Sequence, residues 1–435
     1  MNKKYWWQSA VFYELYVDKF ADDFRGLAKR LDYLETLGIT AIHILPHYPS
    51  PMVDDGYDVS DYRNVRPELG TLKDFEIFMR EAKKREIHVI LDLVLNHVSQ
   101  EHPWFKAARN SKTDPMRDFF LWSETGKELR DTPNMFPHLK LQNSQNWIYN
   151  PATRDYYFTT FYAEQPDLNW NNSKVFTEMT SIMDFWINLG VDGFRIDAAG
   201  HLIKKEDTGS KGIPETHVIL KQIRAHLETC APHAMLLAEA HDQIELVKQY
   251  FGGENCDECH VVYHFPLAEQ LILAALRDDN SSVNNMVRAS FDIPVNGRWA
   301  AFLRNHDELS LATLSDAERN ELFAYCDPEH KYAFPTGSNI SMRMANIFKK
   351  NPEKIRPAFD MLLRLPAVPI IYYGEEIGME NDTTIGTPRD TRRYVRGKFD
   401  WQLAKIQQSD PDSLFNFIGK LTREHMRVAQ RGLKS

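Results

Sequence analysis

Eight short runs rich in β-branched and aromatic residues recur along the chain: AVFYELYV, TAIHILPH, HVILDLVLNH, GFRIDAAG, AMLLAEA, HVVYHFP, WAAFLRNHD and VPIIYYGEE. Longer segments with an apolar stripe at helical spacing lie between them, for instance TLKDFEIFMREAKKRE before the third run and KVFTEMTSIMDFWINLG before the fourth. Strand then helix, repeated, predicts a parallel sheet, and eight such units close a barrel. The expected class is therefore α/β, a (β/α)8 TIM barrel. Every one of these runs that carries a polar residue carries it late, at the strand end where such barrels build their active sites.

One gap breaks the rhythm. From Val98 to Trp170 the chain is rich in Asn, Asp, Pro and Trp with no clear helix or strand period, and it is too long for a simple connection. This predicts a subdomain inserted after the third strand, over the mouth of the barrel, where it forms one wall of a cleft. Residues 1–97 and 171–435 then make the barrel and 98–170 the insert. After the eighth run a long connection leads to a last helix, SLFNFIGKLTREHMRV, and no C-terminal β-sandwich is expected after it.

Composition narrows the function. With 435 residues, 43% of them hydrophobic, the chain can bury a large core. A net charge of -9 with both signs interspersed gives no footprint for nucleic acid or an anionic membrane, which favours a neutral substrate. No run of about 18 apolar residues suggests a membrane span. The N-terminal MNKKYWWQSAVFYELYV is interrupted by Gln8 and Glu14 without a small-residue cleavage site, so no signal peptide is expected. Four cysteines are too few for a disulfide framework and fit a reducing cytoplasm. CDECH, from Cys256 to His260, has half the spacing of a zinc site, and nothing elsewhere supplies the other half.

The polar residues at the strand ends are Asp92, Asn96 and His97, then Arg195 and Asp197, then Glu239, then His306 and Asp307. Arg195 and Asp197 lie two apart and share one face of a strand, either as a structural ion pair or as a reactive carboxylate with its charge partner. Two carboxyl groups across a cleft are the minimum equipment for glycoside cleavage, one as nucleophile and one as acid. Asp197 suits the first role, since Arg195 favours its ionised form. Glu239, flanked by apolar residues at the end of AMLLAE, suits the second. Asp92, followed by hydrophobics, reads as structural.

DLVLNH, GFRIDAAGH, LLAEA and FLRNHD resemble the four signature regions of the α-amylase family of glycoside hydrolases, and QPDLNW resembles a fifth that marks its oligo-1,6-glucosidase-like branch. Longer stretches, among them LPHYPSPMVDDGYDVSDYRNVRPELGTL and VPIIYYGEEIGM, are similar to trehalose synthases. The resemblance implies a retaining α-glucoside hydrolase or transglucosidase with Asp197 as nucleophile, Glu239 as acid/base and Asp307 as the carboxylate that holds sugar hydroxyls. It implies that Arg195 keeps the nucleophile charged, that His97 and His306 surround the glucose, and that Asp54 and Tyr57 of DDGYD close its subsite. Arg396 is expected to pair with Asp54. Ala198, directly after the nucleophile, goes with α-1,4 linkages in the family, so maltose or short maltodextrins are the expected partners.

Three departures stand beside it: a DxNGDG-type loop is missing after the first strand, VRTPMQW becomes VRGKFDW, and Gly200 and His201 replace the proline and tyrosine usual in trehalose synthases. No cofactor is required by the resemblance, but Asn96 and His201 become candidate calcium ligands, with Lys204 placing a positive charge nearby. Three alternatives stay open. One is plain hydrolysis without isomerase activity, another is a catalytically inactive scaffold, and the third is a metal-dependent carboxylate barrel. A homo-oligomer is compatible with all of them.

Overall fold

Each of the eight apolar runs forms a strand of one closed sheet in the computed structural model, which describes residues 5–139, 146–335 and 338–432. The barrel strands are β1 (Phe12–Leu15), β2 (Ala41–Ile44), β3 (His88–Val94), β7 (Gly193–Asp197), β8 (Met235–Ala238), β9 (Val261–Tyr263), β10 (Arg298–Phe302) and β11 (Val368–Tyr372). Neighbours run parallel, and β1 pairs with β11 to close the ring. Helices cover the outside and side chains fill the inside. The strands are thus buried on both faces and read as nearly continuous apolar runs rather than alternating ones. At the entry to β7 the backbones crowd, because a Cβ on Gly193 would stand 2.3 Å from the Met235 carbonyl oxygen, at a φ of 155°.

The helical periodicity also translates directly. Helix Leu72–Lys84 buries Phe75, Phe78, Met79 and Ala82 on one face, and Thr71 and Asp74 form a capping box at its start. Helix Ser173–Asn188 is capped by Asn172 and buries Val175, Met179, Ile182, Met183 and Trp186. The last helix, Leu414–Gly432, returns to the first turn of the barrel, where the Thr422 hydroxyl donates to the Leu37 carbonyl at 2.6 Å.

Between β3 and helix Ser173–Asn188 the chain is more ordered than its composition predicts. It holds a helix, Pro103–Asn110, and an antiparallel sheet of β4 (Trp122–Ser123), β5 (Trp147–Asn150) and β6 (Asp155–Phe158) in the order β4-β6-β5. Strands of two to four residues are too short to leave an alternating signature. Bridges at His97–Asp167 and Phe120–Leu168 tie the segment back on itself beside the end of β3. A small apolar cluster of Phe136, Tyr162 and Phe334 joins it to the loop after β10. Among the described residues, no helix is long and apolar enough to cross a membrane.

Candidate active site

Polar side chains from the ends of β3, β7, β8 and β10 converge on one cleft of about 1070 Å³, open mouth included. Asp92 and Arg195 are register partners on β3 and β7, so their side chains meet. Arg195 Nη1 donates to Asp92 Oδ1 at 2.8 Å and to Asp197 Oδ1 at 2.6 Å. Its Nη2 lies 2.6 Å from Glu239 Oε1, an ion pair without hydrogen-bond alignment. One fully buried guanidinium therefore serves three carboxylates.

Asp92 has a second cation close by, with His43 Nε2 at 3.5 Å, and Arg195 and His43 hold it below the usual carboxylate range although burial opposes them. Asp197 and Glu239 share what remains of the Arg195 charge. Burial pushes Asp197 well above its usual range, and Glu239 and Asp92 push the same way against Arg195. Arg195 is not dedicated to Asp197 alone: its charge is divided among Asp92, Asp197 and Glu239. Nor is the Glu239 carboxylate surrounded by apolar groups. Besides Arg195 it has the Ala198 N–H, which donates to Oε2 at 3.0 Å. Ala198 is left-handed, at φ 46°, a conformation that costs a non-glycine residue of order 1 kcal/mol and here aims that N–H at the acid. The next residue, Ala199, donates its N–H to the Glu239 carbonyl at 3.0 Å.

Asp307 is built differently. Its Oδ1 accepts from Arg396 Nη2 at 2.7 Å and its Oδ2 lies 3.0 Å from His306 Nε2. Burial opposes ionisation, but His306 and the two arginines Arg396 and Arg392 hold the carboxyl well below its usual range. His306 is wedged between acids, with Nδ1 at 3.0 Å from Glu14 Oε1 and Nε2 at 2.6 Å from the Tyr57 hydroxyl. Asp307 and Glu14 raise it to about 9 against the desolvation that would lower it. The Tyr57 proton goes to Asp92 Oδ2 at 2.8 Å, so the tyrosine accepts from the imidazolium. Next to Asp307, burial and that neighbouring carboxylate raise Glu308 to about 7.

Asp54, Tyr57, His97, Asp197, Glu239 and Asp307 line the cleft, whereas Arg195, His306 and Arg396 stand behind it and carry no more than 2% exposure. Asp54 has a different partner from the one expected. Arg392 Nη2 donates to its Oδ1 at 3.1 Å and Gln165 to its Oδ2 at 3.0 Å, while Arg396 reaches Asp55 at 2.5 Å instead. Burial, only partly offset by the arginines, raises Asp54 to about 6. Arg392 sits on a 3-10 turn, Thr391–Val395, lies 4.5 Å over the Phe136 ring, and also bonds Asp390 and the Tyr162 hydroxyl. Sequence reading missed it, although the arginine-rich RDTRRYVRG was a signal. It also missed Glu14, which it took only as a break in an apolar run.

Aromatic rings of Tyr57, Phe136, Phe161, Tyr250 and Phe265 complete the wall, the surface a sugar's C–H face packs on. His97 Nε2 is buried without a partner, and burial lowers the ring to about 4, so it is a neutral group free to bond a ligand.

The calcium reading of Asn96 and His201 meets an obstacle. Lys204 Nζ donates to Asn96 Oδ1 at 2.7 Å and to the His201 carbonyl, and pairs with Asp167 Oδ2 at 2.8 Å, fully buried. The ammonium already uses the oxygens a calcium ion would need, and two cations do not share one set of ligands. The residues do not fit the metal.

Residues 12–328 match the model of the α-amylase catalytic domain. The chain belongs to the α-amylase family. Among its relatives, the trehalose synthase/amylase TreS of Mycobacterium tuberculosis is 38% identical over 390 residues, 88% of this chain and 64% of the relative. The chain therefore spans less than two thirds of that protein's length. An oligo-1,6-glucosidase of Heyndrickxia coagulans is 32% identical over 446 residues, covering 97% of this chain and 76% of its own. The crystal structure of the trehalulose synthase MutB from Pseudomonas mesoacidophila MX-45 superposes with a TM-score of 0.77 at 25% identity, over 98% of this chain and 84% of that one. The fold is thus shared with that structure over nearly the whole chain.

Proposed function

We propose that this protein is a retaining α-glucoside hydrolase and transglucosidase acting on small α-1,4-linked glucosides such as maltose. The observation that carries the reading is the trio of cleft-lining carboxylates, Asp197, Glu239 and Asp307, with the first two bridged by one guanidinium. That bridging supports the close spacing of about 5–5.5 Å of retaining enzymes. Asp197 attacks the anomeric carbon while Glu239 protonates the departing oxygen, leaving a β-glucosyl ester on Asp197. Glu239 then takes the proton of an incoming water or sugar hydroxyl, which attacks the ester and restores the α-configuration. Asp307, kept ionised by His306 and Arg396, accepts hydrogen bonds from the ring hydroxyls. Asp54 and Arg392 bind the far hydroxyls of the same glucose, and residues 98–170 act as an inserted unit that walls the cleft. The three intact carboxylates weigh against an inactive scaffold. Four free cysteines suit a cytoplasmic location.

Relatives named as trehalose synthases make the isomerase version the sharpest form of the proposal, and Ala198 goes with its α-1,4-linked substrate. Maltose incubated with the pure protein and no added acceptor distinguishes the versions: trehalose supports isomerisation, and glucose alone excludes it. Asp197→Asn is expected to reduce turnover of an activated aryl α-glucoside by about 10⁴-fold or more, the scale of losing a covalent nucleophile. Undiminished turnover would overturn the mechanism.

A further inference from the structure

On the outer face of the barrel, Asp184 of helix Ser173–Asn188 faces His226 and Cys230 of helix Pro214–Cys230. A carboxylate oxygen, an imidazole nitrogen and a thiol sulfur lie within 4.8 Å of one another, and among the described residues no other group of His, Cys, Asp and Glu does this. None of the three lines the cleft or takes part in the chemistry above. His226 and Cys230 are four apart, so they project one above the other from a single helix face. His226 Nε2 is 2.8 Å from Asp184 Oδ1, which fixes the ring toward the neighbouring helix.

We propose that this cluster is a zinc-binding site that clips the two helices together. An imidazole, a thiolate and one carboxylate are the ligand types of a borderline-soft, tetrahedral cation, and three protein ligands leave a fourth position for water. Hard cations that demand oxygen ligands are excluded by the sulfur and the nitrogen. Metal bonds of about 2.0–2.3 Å need the imidazole and carboxylate to part slightly from their present contact. The side chains have room to do so, since Asp184 is 39% and His226 27% exposed, and Cys230 is at the surface. On binding, the thiol gives its proton to solvent, the proton that His226 Nε2 donates to Asp184 is exchanged through solvent to Nδ1 so that the Nε2 lone pair is free, the Asp184–His226 hydrogen bond breaks, and three metal–ligand bonds form in their place.

The full chain titrated with Co²⁺ tests this. The expected result is a stoichiometric rise of tetrahedral d–d absorption together with a thiolate-to-cobalt charge-transfer band, both removed by Zn²⁺. Cys230→Ser should lose the charge-transfer band and His226→Ala should weaken binding at least tenfold, with turnover of an aryl α-glucoside unchanged in both. Zn²⁺ should raise the unfolding midpoint of the parent protein and not that of the double variant. Absence of the charge-transfer band in the parent, or its persistence in Cys230→Ser, overturns the proposal.

Discussion

Lys204 offers the sharpest perturbation. Its ammonium and the Asp167 carboxylate are both without exposure and stand 2.8 Å apart, so removing the lysine leaves a buried charge without its partner. Breaking such a pair costs about 3–5 kcal/mol. Asp167 keeps two other donors, the Thr160 N–H at 2.9 Å and its hydroxyl at 2.5 Å, which places Lys204→Ala near the lower bound, about 3 kcal/mol. A chain of 435 residues unfolds with an entropy of about 0.9 kcal/mol/K, so the midpoint should fall by roughly 3 °C. Alanine also frees three oxygens, from Asn96, Asp167 and the His201 carbonyl, around a space that held one positive charge. Millimolar Ca²⁺ should then recover part of the loss in the variant, while neither Ca²⁺ nor a chelator moves the parent protein. Differential scanning calorimetry with and without metal reads both effects. If the parent loses stability in chelator, or if the variant melts lower and calcium recovers nothing, the idea that the lysine stands in a cation's place is wrong.

Three further predictions follow from the same network. His306 is raised from an ordinary 6.5 to about 9 in the fold, so its contribution is fully present below pH 6.5 and is lost as pH rises through 9. That contribution is roughly 3 kcal/mol, and His306→Asn should flatten the fall of the unfolding midpoint between pH 7 and 9.5; an unchanged slope argues that His306 is neutral. Arg392→Lys should raise KM several-fold with less effect on kcat, because a lysine cannot fork between Asp54, Asp390 and the Tyr162 hydroxyl; an unaltered KM removes Arg392 from sugar binding. Ala198→Val places a β-branched residue at φ 46° and should destabilise by about 1–2 kcal/mol, measured by denaturant midpoint, whereas Ala198→Gly should not.

The barrel was legible in the sequence because strands buried on both faces leave unbroken apolar runs, and its site was legible because Asp197, Glu239 and Asp307 interrupt or end those runs. What escaped depends on neighbours distant in the chain. Glu14 interrupts β1 as an odd polar residue would, and only closure of the ring shows that it answers His306 across 292 positions. Arg392 and Arg396 are equally plausible partners for Asp54 on paper, and the 3-10 turn that carries Arg392 and ends just before Arg396 decides which one reaches it. Lys204 was noted as a nearby charge, but its position among the oxygens themselves needs the folded loop. The short strands β4, β5 and β6 lack the length to show a period.

The left-handed turn at Ala198 joins the end of β7 to the end of β8. Through it, two successive amides directly after Asp197 are bonded to Glu239, one to its carboxylate and one to its carbonyl. The backbone after Asp197 is therefore tied directly to Glu239, so main-chain geometry as well as the Arg195 side chain holds the two carboxyls in relation to each other. A substitution that shifts the backbone at Ala198 should therefore move Glu239 relative to Asp197 even when every side chain of the cleft is left in place.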